Sequence, residues 1–440
     1  MLPRMTVIGT GYLGATHAVC MAELGFDVLG LDVDEAKVAI LNDGRVPFFE
    51  PGLPELLTKN LESGRLRFTT SFEEAGAFGD VHFICVGTPQ KKGEFAADLT
   101  YVNAAFTSMI ATAKAGSVLV GKSTVPAGTA ERIAEWVTAA DRDLDLAWNP
   151  EFLREGFAVE DTLRPDRLVF GVQSARGEQA LRDAFAPVIA GEQGLPAPVV
   201  VTDFATAQLV KVAANAFLAT KISFINAMAE VCEATGGDVT LLSKALSYDT
   251  RIGGRFLHAG LGFGGGCLPK DIRAFMARAG ELGVDQALSF LKEVDAINLR
   301  RRARMIDLAR EELGGSFGGV RVCVLGAAFK PNSDDIRDSP ALDVAASIQK
   351  QGAAVTLYDP QAMENARARH PELGYRASAV EAATGADIVL HLTEWAEFRE
   401  MDPAVLSEVV TGKRIVDGRN ALDPDLWRSA GWTYRALGRP

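Results

Sequence analysis

Met5-Thr6-Val7-Ile8-Gly9-Thr10-Gly11-Tyr12-Leu13-Gly14 sets a short strand pattern against a Gly-x-Gly-x-x-Gly turn that opens a helix. The glycines serve a tight turn, close approach of a pyrophosphate to the backbone, and packing of the helix on the strand. The spacing alone is a weak signal, but here a strand precedes it and a helix follows. Residues 27–32 read as the second strand, closed by Asp32 about 20 residues past the fingerprint, where a carboxylate accepts hydrogen bonds from the adenosine ribose and repels a 2′-phosphate. NAD is therefore expected over NADP, held by Gly9, Gly11, Tyr12, Leu13, Gly14 and Asp32. Lys37 reads as a surface residue of the next helix, within reach of the ribose.

Working outward, residues 81–86 and 118–122 read as further strands ending in polar loops. Such loops line the carboxyl edge of a doubly wound parallel sheet, where ligands bind. From Thr202 the texture becomes helical as far as Gly236-Gly237. A second helical pattern, residues 285–313, would be about 40 Å long at 1.5 Å per residue. It reads as a connector and dimer surface, with Arg300-Arg301-Arg302 as a solvated face. After Gly319 strands and helices alternate again: strands at 320–325, 354–358, 386–392 and 414–417, and a helix at 340–351. The turn here, Gly326-Ala327-Ala328-Phe329-Lys330, lacks the three-glycine spacing and makes a poor second dinucleotide site. The expectation is an α/β chain with two Rossmann-like doubly wound domains, residues 1–200 and 316–440, joined by a helical central domain, 201–315, with a long connecting helix.

A length of 440 residues suits two or three domains, and 48% hydrophobic with 23% charged residues is ordinary globular composition. With 45 basic against 57 acidic residues the net charge is -12, which argues against a general nucleic-acid or membrane-surface binder. Residues 1–4 lead straight into a strand, so no signal peptide is expected. No run of about 18 apolar residues occurs, so no bilayer span is expected either. Cys85 and Cys323 interrupt strand patterns and Cys20 and Cys232 helical ones, as small core residues do. Without a Cys-x-x-Cys pair or His/Cys cluster, no metal site is expected, and the unpaired thiols suit a reducing cytoplasm.

The fifth cysteine stands apart, in Gly264-Gly265-Gly266-Cys267-Leu268-Pro269-Lys270-Asp271. The glycines suit a tight turn and close approach of a ligand, and Pro269 suits the first turn of a helix. A thiol at the positive end of a helix beside Lys270 is favoured as thiolate, the nucleophilic form. Lys211 and Asn215, four apart, share one helix face, and the lysine's apolar neighbours mark it as more than a surface residue.

These stretches resemble the UDP-glucose/GDP-mannose dehydrogenase family from Gly9 to Arg419. The resemblance also rests on Val86-Gly87-Thr88-Pro89, Ser123-Thr124-Val125-Pro126, Asn149-Pro150-Glu151-Phe152-Leu153-Arg154-Glu155-Gly156, Lys211-Val212-Ala213-Ala214-Asn215, Phe329-Lys330-Pro331-Asn332 and Asp417-Gly418-Arg419. The Phe-Leu-Arg-Glu-Gly form is most similar to the UDP-glucose branch, although glycine and leucine flank Cys267 where many relatives have serine and phenylalanine. GDP-mannose and UDP-N-acetylhexosamines are the alternative substrates. A single-step β-hydroxyacid dehydrogenase would need neither the thiol nor a third domain.

The resemblance implies oxidation of a nucleotide-sugar primary alcohol to a carboxylate with two NAD, through a thiohemiacetal and thioester on Cys267. It implies an oxyanion steadied by Lys211 and Asn215, hydrolysis by Glu155 with Glu151 as its partner, and water held by Thr124. Asp271 would orient Lys211 or the water. Thr88, Pro89, Thr124, Glu155 and Lys270 would join the cofactor site. The substrate would meet Glu151, Phe152, Leu153, Lys211, Asn215, Phe263, Gly264, Lys330 and Arg419, with Arg251 reaching the sugar across a dimer interface. Arg337 reads as a loop salt-bridge residue. The product would feed polysaccharide biosynthesis.

Overall fold

Strands buried on both faces are largely apolar, and β1 (Met5–Ile8), β2 (Val28–Leu31) and β4 (Val81–Ile84) have every residue buried, with the polar Thr6 and His82 hydrogen-bonded to each other at 2.6 Å. The computed structural model describes residues 2–440, and their contacts divide between two units. The first holds Met1–Ala214 and Arg273–Leu282; the second holds Asn215–Ile272 and Gly283–Pro440. The segment 201–315 is thus shared between them.

The first unit adds β3 (Leu66–Thr69), β5 (Ser117–Gly121), β6 (Leu144–Trp148), β7 (Leu168–Val172) and β8 (Val199–Thr202), giving the order β3-β2-β1-β4-β5-β6-β7-β8. Alternate residues face opposite sides of this sheet. Val7 and Phe83 enter one apolar cluster, Ile8 and Ile84 the other. The sheet is not parallel throughout as expected: β7 pairs antiparallel with β6, because it starts at the edge where β6 ends.

The second unit builds a six-stranded, wholly parallel sheet from β9 (Arg321–Leu325), β10 (Ala354–Tyr358), β11 (Gly374–Tyr375), β12 (Ile388–His391), β13 (Arg414–Asp417) and β14 (Thr433–Ala436). Its order, β11-β10-β9-β12-β13-β14, is that of a Rossmann fold.

Two helical expectations change. The 285–313 pattern is a 3-10 turn, Asp285–Leu288, followed by the helix Phe290–Glu312, all inside the second unit. Two helices run from one unit's residues into the other's, Phe204–Thr235, 32 residues long, and Leu268–Glu281. The basic run is not a solvated face either. Successive residues on a helix point about 100° apart, so only Arg300 faces solvent. Arg301 is fully buried and pairs with Glu233 at 3.2 Å, and Arg302 pairs with Asp338 at 2.9 Å.

By length and composition Phe204–Thr235 could cross a membrane, with a mean hydropathy of 1.3 over 18 residues, although polar residues interrupt its apolar runs. Its polar residues, however, have protein partners. Gln208 Oε1 accepts from Thr129 N, Ser223 Oγ donates to the Val294 carbonyl, and Asn226 Oδ1 accepts from Gly260 N. Polar groups satisfied in this way are those of a core helix.

Candidate active site

The dinucleotide turn lies in the first unit. Gly9 has φ +87° and a Cβ there would meet Val86 at 2.7 Å, while one on Gly14 would meet the Gly9 carbonyl oxygen at 1.8 Å. Only glycine lets the Tyr12–Glu23 helix start so close to the strand. Gly11, by contrast, faces open space, as a cradle for a pyrophosphate must.

Asp32 sits just past β2. Its Oδ2 accepts from Thr10 N at 2.8 Å, Thr10 Oγ1 at 3.1 Å and Lys37 Nζ at 2.9 Å, and Oδ1 accepts only from Asp34 N at 3.1 Å. Burial pushes its carboxyl pKa up, but Lys37 and the backbone donors outweigh burial and leave it below the usual range. Lys37, read as a surface residue, is thus the cation on Asp32. An open glycine cradle and an ionised carboxylate with a lightly used oxygen fit NAD. Nearby, Thr88 Oγ1 donates to the Thr124 carbonyl at 2.8 Å, and the Pro89 carbonyl accepts from Asp98 N at 2.7 Å. Leu13 packs on the core.

The loop after β6 is held at almost every residue. Lys122 Nζ, buried at the end of β5, donates to Asn149 Oδ1 at 2.8 Å, and burial lowers its pKa. Glu151 Oε1 pairs with Lys211 at 2.9 Å, with side chains only 11% and 6% exposed, and Glu151 Oε2 accepts from Leu153 N at 2.6 Å. Burial alone would raise the Glu151 pKa; the charge and hydrogen bond of Lys211 bring it below the ordinary value. The Phe152 ring lies under the Arg167 guanidinium at 3.7 Å, with Lys211 Nζ at 5.7 Å. Glu155 occupies the corner of a turn closed by Phe157 N donating to the Arg154 carbonyl at 2.9 Å, with Gly156 at φ +78°.

The second unit carries the thiol. Cys267 is exposed and immediately precedes the helix Leu268–Glu281, its carbonyl accepting from Asp271 N at 2.9 Å. Burial pushes the Cys20 and Cys85 thiols up to about 12 and that of Cys323 higher still. Asn215 Nδ2 donates to Asp271 Oδ2 at 2.7 Å, and Lys270 Nζ pairs with Asp271 Oδ1 at 2.5 Å. The acid shown on Lys211 is Glu151, and the donors shown on Asp271 are Asn215 and Lys270.

The glycines before Cys267 also let the chain pack closely on itself. A Cβ would meet the Asp338 carbonyl at 2.3 Å from Gly264, the Phe329 ring at 2.8 Å from Gly265 and the Arg337 guanidinium at 2.3 Å from Gly266. Arg337 pairs with Asp335 at 2.7 Å, as read. The Phe263 backbone is clasped by Asn298 at 2.7 and 2.9 Å. Arg419 donates to the carbonyls of Leu392 (2.7 Å), Gly262 (3.0 Å) and Phe329 (3.0 Å), so it ties three loops together. Lys330 lies 5.5 Å from the Phe329 ring centre. Arg251 is 87% exposed and pairs with Asp249 on its own turn.

Sequence reasoning missed three residues that shape the first unit's loops. Lys122 and Asn149 were within reach, since one ends a recognised strand and the other begins a quoted motif. Glu50, buried and accepting from Tyr12 and Gly156, had no local signal. Among the described residues no His/Cys/Asp/Glu group could hold a metal.

Three family models match the chain: the NAD binding domain of the UDP-glucose/GDP-mannose dehydrogenase family over residues 3–189, its central domain over 205–300 and its UDP binding domain over 323–424. The chain is 41% identical to a UDP-glucose 6-dehydrogenase of Rhizobium meliloti, over 99% of this chain and 100% of that one. A UDP-glucose 6-dehydrogenase of Bacillus subtilis is 39% identical, over 100% and 94%. Among solved structures, a UDP-glucose dehydrogenase from Pyrobaculum islandicum is 38% identical with a TM-score of 0.90, covering 100% of this chain and 98% of the other. A UDP-D-ManNAc dehydrogenase from Pyrococcus horikoshii is 26% identical with a TM-score of 0.85, covering 99% of each chain. An open dinucleotide cradle, an exposed thiol leading a helix and matches along nearly the whole length agree: the chain belongs to the UDP-glucose/GDP-mannose dehydrogenase family, whose cofactor is NAD.

Proposed function

We propose that the chain is a UDP-glucose 6-dehydrogenase that converts UDP-glucose, two NAD and water to UDP-glucuronate and two NADH. The observation that carries the mechanism is Cys267, the exposed thiol in a chain whose four other cysteines are buried. Full-length relatives at 39–41% identity carry that activity in their names, which favours UDP-glucose over the other nucleotide sugars.

NAD, when bound, accepts the hydride of each oxidation. The first oxidation leaves an aldehyde, which has no hydride to lose until a nucleophile adds to it. The Cys267 thiolate forms a C–S bond to that carbon, and the Lys211 cation and Asn215 amide hold the resulting oxyanion. Glu151 holds Lys211 in place, and Asp271 holds Asn215. Loss of hydride from the adduct leaves a thioester. Water, held by Thr124, attacks it while Glu155 takes one of the water's protons; the C–S bond breaks to return the thiolate, and the acid formed gives its remaining proton to solvent as the carboxylate is released. Phe152, Leu153, Phe263, Gly264, Lys330 and Arg419 receive the nucleotide sugar.

The working form in this proposal is a cytoplasmic homodimer. Phe217, Phe224 and Val231 recur every seventh residue on Phe204–Thr235, 67%, 47% and 52% exposed, a stripe suited to a second copy. Arg251 of that copy would reach the sugar. The product, an activated uronic acid, suits polysaccharide biosynthesis, and a reducing compartment keeps Cys267 a thiol.

The test is Cys267→Ala. The variant should lose nearly all acid formation yet still reduce a supplied UDP-glucose 6-aldehyde with NADH, since that reverses the first step. Near-normal acid formation would remove the covalent route, and faster turnover of GDP-mannose than UDP-glucose by the wild type would remove the substrate assignment.

A further inference from the structure

Glu50 takes no part in this chemistry, yet it is 2% exposed and every contact shown for it comes from a neutral donor. It sits in the loop between the helices Glu35–Asn42 and Leu53–Glu62. Its Oε2 accepts from the Tyr12 hydroxyl and, at 2.7 Å, from Gly156 N. Its Oε1 accepts from Ala158 N at 2.7 Å and Val159 N at 3.4 Å. Gly156 N also donates to the Tyr12 oxygen at 3.0 Å. Burial and then the Glu50 hydrogen bond push the Tyr12 phenol far above its usual range, so it stays a donor.

Both ends of this contact belong to functional loops of one unit. Tyr12 is the first residue of the helix that opens beside Gly11. Gly156 directly follows Glu155 in the Arg154–Phe157 turn and holds a φ of +78°, a conformation that glycine adopts without strain. On the near side, Arg154 is fixed to Asp161 by its own N–H at 2.8 Å and its guanidinium at 2.6 Å. The Glu155 backbone is therefore pinned on both sides, and its far anchor is the cofactor turn.

We propose that Glu50, acting with the Tyr12 hydroxyl, is a positioning residue that ties the dinucleotide turn to the Glu155 loop and so governs thioester hydrolysis rather than hydride removal. The proposal rests on Glu155 as the hydrolytic base. A plain helix cap would use only the Oε1 contacts with Ala158 and Val159, and Tyr12→Phe leaves these intact. That variant also keeps the ring contact between residue 12 and Phe48, 4.9 Å between centroids.

The experiment follows Tyr12→Phe, Glu50→Gln and Glu155→Gln through a single turnover with UDP-glucose and excess NAD, reading NADH release and the intact protein mass. Because Tyr12 lies in the cofactor turn, each variant is run at NAD saturating for that variant, and Tyr12→Phe should melt within about 4 °C of wild type. Measured against its own second NADH release, it should hydrolyse the thioester at least about tenfold more slowly than wild type does, with the adduct visible on Cys267. Glu50→Gln should show the same trap more strongly, and the double variant should be no worse than Glu50→Gln. Adduct in Glu155→Gln but in neither other variant overturns the positioning proposal alone. Adduct in none of the three overturns the assignment of Glu155 and the proposal with it. Equal slowing of both hydride transfers and hydrolysis in Tyr12→Phe leaves Glu50 as a structural brace and overturns the proposal.

Discussion

After β1 the chain turns through Gly9-Thr10-Gly11 and enters a helix at Tyr12; after β9 it turns through Gly326-Ala327-Ala328 and enters no helix until Pro340. The two turns share a plan. Each begins with a positive-φ glycine, at +87° and +112°, pressed against the chain beyond the neighbouring strand: Val86 lies 2.7 Å and Thr393 2.4 Å from where a Cβ would stand. Each faces an aspartate just past the second strand, Asp32 and Asp359. The aspartates differ in what surrounds them. Asp359 is fully buried, and its Oδ2 accepts from Ala327 N, Ala328 N and Trp395 Nε1 at 2.7, 3.0 and 3.1 Å, its Oδ1 from Gln361 N and Ala362 N at 2.9 and 2.8 Å. The protein's own backbone and an indole hold both oxygens. Asp32 leaves Oδ1 with a single donor and stands beside an open glycine. One turn leaves its aspartate an oxygen with room for a further donor, and the other uses its aspartate to close itself.

The strongest way to break this comparison is Asp359→Asn. The amide would aim N–H groups at backbone N–H groups already buried, costing about 3 kcal/mol. The melting temperature should fall by several degrees while NAD affinity of the folded protein stays unchanged. A variant melting like wild type would show that Asp359 does not close the second turn.

Asp32→Asn should do the reverse. NAD binding should weaken by about 1.5–3 kcal/mol through loss of a charge-assisted hydrogen bond, read by titration, with a smaller change in melting. Destabilisation equal to that of Asp359→Asn would erase the distinction. Its pH dependence sharpens the test. The folded Asp32 pKa is lowered, so its contribution to stability is present above its unfolded value of about 3.9 and is lost as the pH falls through the folded value. The difference in stability between wild type and Asp32→Asn should therefore shrink as acid protonates Asp32, in melts taken from pH 6 down to pH 3.

The smallest effect belongs to Lys37→Met. A pair with a side chain 29% exposed is worth less than about 1 kcal/mol, so NAD affinity should change by less than about fivefold. A larger loss, measured in the same titration, would make Lys37 a direct ligand of the ribose.

The first turn was legible because its requirements are local: a left-handed glycine, a helix start and a carboxylate one strand away. The second was legible by the same logic in the negative, since alanines stand where the fingerprint has glycine. Cys267 was legible from its neighbours, and the other cysteines from their apolar runs. Elsewhere the residues gave less. Gly264, Gly265 and Gly266 read as room for a ligand, and nothing in their spacing announced that Asp338, Phe329 and Arg337 also pack against them. Arg301 read as solvated but is buried against Glu233, because its partner lies on another helix.

By itself the sequence determined the α/β class, the dinucleotide turn and its aspartate, the cysteine set apart from the core and the family, for each of these depends on residue type and spacing within a short stretch. Tertiary structure alone decided the reversed direction of β7, the pairing of Lys211 with Glu151, the donors that occupy Asp359 and the Glu50 contact with Tyr12 and Gly156. Those outcomes join residues far apart in the chain, and a buried charge takes whichever partner the fold brings within hydrogen-bond reach.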